Sequence, residues 1–531
     1  MSITEDGSSV VSSDGSSPVR SQLCLRHGLF GSTYSPPRGN GPESIPFTGG
    51  DKNSPYYAKP ASAAFFTKDQ LLRATSLDHG RGKIFLGRLD QKMVGIADGR
   101  HVVTLAGSGG GKSVCSLIPN LRLYEGSTLI LDPKGELATA TAQERADRFG
   151  QTIHVLDPWG VADVPDEMRS SFNPLDALLD GDPRNLIDDA DMIADALIIP
   201  AEREQHWTDS ARALVRALIL WLVLASDEER GGPASITHLP HLIANVAAAV
   251  REDSNPGDAA PSLFDHMAVF RFPALPQVES VIQNQGQMMA GTSARERASI
   301  LSTTRTQLAF LESPHLAEKL ASSNFRLADL KRKDTTIYLC LPASRMGTHS
   351  RWLRLVINLA LAELEREPMR PALPVLFVLE EFSALGHMRS LESAVAYMRG
   401  FGVKLWAVLQ DITQLQRDYR KSWETFLGNA GVVQAFSVND ISTLEYLSKR
   451  IGETTLEITN KQEVSSSQSM AGETGLRREF RTQRLMNPDE IGITFAHKVG
   501  GDGNAQGGLS LVLWSGKAPM MVERVYYKDL V

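Results

Sequence analysis

Four glycines stand directly ahead of a lysine and a hydroxyl in Ala106-Gly107-Ser108-Gly109-Gly110-Gly111-Lys112-Ser113. Glycines let successive backbone N–H groups converge on phosphate, a lysine can reach the β- and γ-oxygens of a triphosphate, and a serine hydroxyl can hold Mg²⁺. The apolar run His101 to Leu105 precedes the loop and a helical pattern follows it, so a helix N-terminus adds its positive end. A glycine linker does not sit between a buried strand and an apolar helix. Ala106 replaces the first glycine of the strict pattern, and a small side chain is all that position asks for. Gly107, Ser108, Gly109, Gly110, Gly111, Lys112, Ser113 and Val114 are therefore the expected nucleotide contacts.

Hydrolysis needs an acidic pair at the end of a second apolar strand, one carboxylate for the metal and its water shell and one to polarise the attacking water. Pro374 to Phe382, PVLFVLEEF, has that form. Glu380 is expected to join Ser113 at the metal, and Glu381 to be the catalytic carboxylate. The run VKLWAVL, Val403 to Leu409, ends in Gln410, whose amide could sense the γ-phosphate from a neighbouring strand. The tetrapeptide Asn460-Lys461-Gln462-Glu463 carries Glu where guanine recognition expects Asp, which favours ATP over GTP.

Such residues must be carried by strands ending at one edge of a sheet. HVVTL (101–105), STLIL (127–131), TIHVL (152–156), TTIYLCL (335–341), VLFVL (375–379), VKLWAVL (403–409) and VVQAF (432–436) are short β-branched runs separated by helical patterns. Strands apolar on both faces and alternating with helices predict an α/β fold, a P-loop NTPase with a predominantly parallel sheet flanked by helices. One stretch, about Pro183 to Ala298, has helical periodicity with Trp207, Ala211, Leu214, Leu218 and Leu222 on one face. It reads as an inserted all-α domain (183–298) dividing the nucleotide-binding domain into parts 65–182 and 299–531. Leu509 to Tyr527 predicts two strands joined by a Gly-Lys-Ala-Pro turn. Residues 1–64, rich in Ser, Gly and Pro, predict a disordered arm, and Ser465 to Gly475 a loop.

With 55 Lys and Arg against 62 Asp and Glu, the net charge is -7, which excludes a generally DNA-coating protein and requires any nucleic-acid surface to be local. The three cysteines, Cys24, Cys115 and Cys340, have no paired spacing and support neither a disulfide framework nor a zinc site. The most apolar run, Leu214 to Ala225, is too short to span a bilayer and contains Arg216. A cytoplasmic location is expected, with no transmembrane segment.

The order of LAGSGGGKSV, LDPKGEL (131–137), FNPLD (172–176), HWTDSARALVRALI (206–219), STTRTQLAFLESP (302–314), EEFSALG (380–386), AYMRGFGVKLWAVLQD (396–411) and YLSKRIGETT (446–455) resembles TraG-type coupling proteins of type IV secretion, a branch of the FtsK/HerA-like P-loop ATPases. The resemblance covers about Phe65 to Val531. It implies an ATP- and Mg²⁺-dependent motor, assembled as a homo-hexameric ring, that recruits single-stranded, relaxase-bound DNA or protein effectors and passes them to the secretion channel subunits. It also implies that Arg399, a surface cation on its own terms, is an arginine finger reaching the next subunit's ATP. Asp132 and Lys134 would border the nucleotide.

Two departures stand out. The family usually has Asp where this chain has Glu380, which implies slow hydrolysis, and a Ser/Gly-rich arm replaces the usual transmembrane hairpin, which implies docking at the inner membrane through partners. The rival readings are a DNA-pumping ATPase of the chromosome-partition type and a nucleotide-gated substrate adaptor with weak hydrolysis.

Overall fold

Seven strands form the parallel heart of an eleven-stranded sheet: β3 (His101–Ala106), β4 (Thr128–Asp132), β5 (Thr152–Leu156), β6 (Thr335–Cys340), β7 (Val375–Leu379), β8 (Val403–Leu409) and β9 (Ala430–Phe436). Their order is β9-β3-β8-β7-β4-β6-β5, and every neighbouring pair is parallel. The computed structural model describes residues 61–530 except 180, 200–204, 231, 250–261, 462–475 and 500–504. The expected arm (1–64) lies almost wholly outside the described residues, as do Ser465 to Gly475, Gln462 and Glu463. Residues Ala63–Val531 form one compact unit.

The strands are buried on both faces because successive side chains point to opposite sides of the sheet, and both sides are covered. In β7, Val375, Phe377 and Leu379 join one apolar core while Leu376 and Val378 join the other. In β8, Val403, Leu405, Ala407 and Leu409 face the first core and Trp406 and Val408 the second. The helix Glu136–Phe149 and the helix after the glycine loop cover the second face through Leu137, Ala138, Leu117 and Leu121. The 21-residue helix Met346–Arg366 covers the first.

Beyond β9 the sheet continues with four antiparallel strands. The predicted terminal pair is present as β14 (Leu509–Trp514) and β15 (Met520–Glu523), with β14 antiparallel to β9. Sequence periodicity does not reveal the outer hairpin, β1 (Ile84–Leu89) and β2 (Lys92–Ile96). Gly87, at φ 144°, breaks the alternation where the register shifts between Phe85 and Gly87. A glycine inside a strand is the usual mark of such a bulge. A hairpin of β10 (Glu453–Lys461) and β11 (Leu476–Arg484) and a short pair, β12 (Lys498–Val499) with β13 (Ala505–Gln506), stand apart from the main sheet.

Every described element between β5 and β6 is helical, from the short turn Asp166–Met168 to Asp329–Arg332. The boundary expected at 298 falls inside the helix Ala294–Leu308, which Ser293 caps by accepting the Glu296 N–H. Ile300, Leu301, Thr304 and Leu308 keep its buried face going past that point, so there is no physical break there. On the helix Gln205–Leu224, Ala211, Leu214, Leu218 and Leu222 form the buried stripe the sequence predicts, with Trp207 half-buried at its start.

Candidate functional site

β3 is buried along its whole length, so its chain can turn only on emerging at the carboxyl edge of the sheet. Two glycines make the turn possible there: Gly109 and Gly111 adopt φ of 70° and 86°, a region L side chains avoid. Gly107 serves a different purpose, since a Cβ on it would lie 2.3 Å from the Ser437 carbonyl oxygen, which accepts the Gly107 N–H at 3.1 Å. After Lys112 the chain enters a helix whose first turn, Ser113–Leu117, is wide, the Ile118 N–H donating to the Ser113 carbonyl. Pro119 has no N–H to offer Cys115, which accounts for the irregular turn.

Sheet order brings the acid strand to this loop. Because β8 lies between β3 and β7, Gln410 at its end stands between the glycine loop and the carboxylates. Glu381 occupies the left-handed region at φ 52°, an unfavourable conformation for a glutamate that the surrounding structure must hold. Its carboxylate accepts from Lys112 Nζ at 3.2 Å and from Gln410 Nε2 at 3.4 and 3.2 Å. The neighbouring Glu380 is buried and accepts from Ser113 Oγ at 3.0 Å. Burial, then the nearby Asp132 carboxylate, pushes the Glu380 carboxyl up to about 7, against the opposing hydrogen bond from Ser113. Asp132 ends β4 fully buried. Its Oδ2 accepts the Ala138 N–H at 2.8 Å, its Oδ1 meets no well-placed donor among the described residues, and burial raises the Asp132 carboxyl to about 6 against the backbone N–H groups around it.

A cleft of about 240 Å³ opens over these groups, walled by Ser108 to Val114, Pro133, Lys134, Glu136, Glu380 and Glu381. The cradle fits a polyphosphate: Gly109 has open space beside it and Lys112 faces the cleft. Ser113 and Glu380, both hard oxygen donors, fit Mg²⁺, with the Asp132 carboxylate close behind. The arrangement can bind a nucleoside triphosphate, hold a divalent cation and orient water against the terminal phosphate.

The family model for type IV secretory system conjugative DNA transfer matches residues 58–530. The chain belongs to that family. The conjugal transfer protein TraG of Escherichia coli is 26% identical over 461 residues, covering 81% of this chain and 67% of that protein. VirD4 of Agrobacterium fabrum is 25% identical over 439 residues, covering 81% of this chain and 59% of its own length. Among solved structures, the plasmid coupling protein TrwB in complex with a non-hydrolysable ATP analogue superposes with a TM-score of 0.58 at 14% identity, covering 90% of this chain and 96% of that one. A TrwB form in complex with sulphate gives 0.59 at 16% identity over the same shares. These neighbours bear out the α/β fold expected from the strand pattern.

In this member of the conjugative DNA transfer family, Lys112, Ser113, Glu380, Glu381 and Gln410 meet at one place, and Arg399 does not. Arg399 is exposed on the turn Met398–Phe401 that leads into the amino end of β8, with its guanidinium beside Gly99. Gly99 precedes β3, so Arg399 and the glycine loop lie at opposite ends of that strand, on the order of 20 Å apart at ~3.3 Å per residue. Lys134 pairs with Glu136 at 3.8 Å on the rim of the cleft. The sequence reading missed two residues at the loop. Ser437, at φ 52°, holds Gly107, and Arg524, just past β15, reaches the Gly110 carbonyl. No spacing rule joins residue 110 to residue 524, and the only hint was an arginine inside the apolar alternation of MVERVYY.

Proposed function

We propose that this chain is an ATP-dependent coupling protein that recruits DNA, or protein linked to DNA, and delivers it to a type IV secretion channel. The observation that carries the reading is the convergence of Lys112, Ser113, Glu380, Glu381 and Gln410 at the carboxyl ends of β3, β7 and β8. Its TraG and VirD4 relatives support the transfer role, and the TrwB neighbours, in complex with an ATP analogue and with ADP and Mg²⁺, support the choice of ligands.

Bound ATP would supply the transferable phosphoryl group and bound Mg²⁺ the charge that neutralises its oxygens. Lys112 leaves Glu381 for the phosphate oxygens, and Glu381, released and still held by Gln410, accepts a hydrogen bond from the attacking water. Ser113 and Glu380 would hold the metal. Glu380 is one methylene longer than the family's usual Asp, which would displace its contact with the metal, slow hydrolysis and favour the adaptor as the second reading. Arg399 lies too far from its own cleft to act there, so a role at phosphate is open to it only in a neighbouring subunit of a ring. No helix among the described residues is long and apolar enough to cross a membrane.

The test is an ATPase assay of the purified protein with and without single- and double-stranded DNA, combined with sizing by light scattering. DNA-stimulated hydrolysis by a ring-sized oligomer is expected. Turnover indifferent to DNA would replace the motor with the adaptor.

A further inference from the structure

Arg524 is 4% exposed, yet it has no carboxylate partner among the described residues. Its guanidinium donates to three neutral acceptors: Nη1 to the Gly110 carbonyl at 2.6 Å and to Ser437 Oγ at 3.4 Å, and Nη2 to the Ala496 carbonyl at 3.1 Å. It lies over the Phe436 ring at 4.7 Å, and its Nε meets no acceptor. Burial disfavours its charged form. The chain makes room for it at two glycines. A Cβ on Gly508 would come within 2.4 Å of Nη2, and one on Gly507 would strike the Arg524 carbonyl. A buried cation without a counter-ion is costly, so its place directly under the phosphate loop calls for a reason.

We infer that Arg524 is a positioning residue for the phosphate loop, acting through the Gly110 carbonyl to aim the Gly111 N–H at the nucleotide's phosphates. A trans peptide points its C=O and the following N–H in opposite directions. Holding the Gly110 oxygen down against Arg524 therefore turns the Gly111 N–H up, towards the cleft that Gly111 lines. The Gly111 φ of 86° leaves that peptide free to flip unless something pins it. The unpaired charge of Arg524, screened from solvent, finds its counter-charge in the bound phosphates on the far side of the loop. The strand β15 thereby becomes part of the nucleotide site from the far end of the chain.

This inference rests on the reading of the cleft as a nucleotide site, and the two can fail separately. Binding of a fluorescent ADP and of an ATP analogue is measured for the full chain, for Arg524→Met and, as a control, for Lys112→Ala. Methionine keeps an apolar contact with Phe436 and drops both the charge and the hydrogen bonds. The expected result is a loss of affinity of roughly tenfold or more for both nucleotides. KM should rise by a similar factor while kcat changes less, and the melting temperature without nucleotide should stay near that of the wild type. Unchanged affinity in the folded variant, whatever its melting temperature, overturns the inference. If Arg524→Met does not fold, Gly508→Ala decides, since it crowds Nη2 while leaving the arginine in place. A similar loss of affinity supports the positioning role, and wild-type affinity rules it out. Nucleotide binding unaffected by Lys112→Ala would instead remove the reading of the cleft itself.

Discussion

At the scale of single residues, the proposed chemistry rests on a pair of opposite charges at the mouth of the glycine loop. Lys112 and Glu381 pair at 3.2 Å, and both face the cleft. Lys112→Ala removes the cation meant for the β- and γ-oxygens, so hydrolysis should fall to background while circular dichroism stays unchanged. Normal turnover in that variant would end the phosphate-loop assignment. Glu381→Gln keeps the shape and the Gln410 contact but cannot accept the water's proton, and should bind ATP while failing to hydrolyse it. Hydrolysis at the wild-type rate would move the role to Glu380. For Glu380 itself, Asp in its place should leave turnover equal or higher. A large loss would mean that the 3.0 Å contact with Ser113 needs the longer side chain.

At the scale of elements, the parallel strands depend on polar groups that stay neutral inside. His101, at the amino end of β3, accepts the Leu405 N–H of β8 at 3.0 Å and is 4% exposed. Burial, the largest influence, lowers its pKa from 6.5 to about 4. A depressed histidine gives stability that is present above pH 6.5 and lost as pH falls through about 4, because the unfolded chain takes up the proton first. For a shift of this size, about 2 kcal/mol should be lost between pH 7 and pH 5. Urea titrations of the wild type and His101→Gln at the two pH values should show that difference shrink in the variant. Equal pH dependence would mean that His101 is not held neutral. The same sheet contains a hairpin that leaves no period in the sequence. β1 and β2 pair with each other, β1 also pairs with β15 at the antiparallel edge, and a bulge at Gly87 hides their alternation.

At the scale of the whole molecule, Arg399 carries the largest prediction, because it joins assembly to chemistry. It sits at the amino ends of the strands whose carboxyl ends hold the cleft. If it completes a neighbour's site, Arg399→Ala should bind nucleotide and lose hydrolysis by a factor on the order of a thousand. Mixing Arg399→Ala with Lys112→Ala subunits should restore part of the activity, since some interfaces then hold both groups intact. A mixture that stays inactive in proven mixed oligomers would return Arg399 to the role of a surface cation. The sequence by itself determined the glycine turn before Lys112, the strands ending in Glu380-Glu381 and in Gln410, and the α/β alternation. Each of these is local: a few adjacent residues whose types dictate a turn, a buried strand or a phosphate contact. Only the tertiary structure decided which strands became neighbours. It set β8 between β3 and β7, so that Gln410 bridges towards Glu381, carried the helical segment past residue 298, and brought Arg524 under Gly110 from more than four hundred residues away. Those placements follow from strand order and from the packing of both sheet faces, and such long-range pairings leave no period or spacing along the chain.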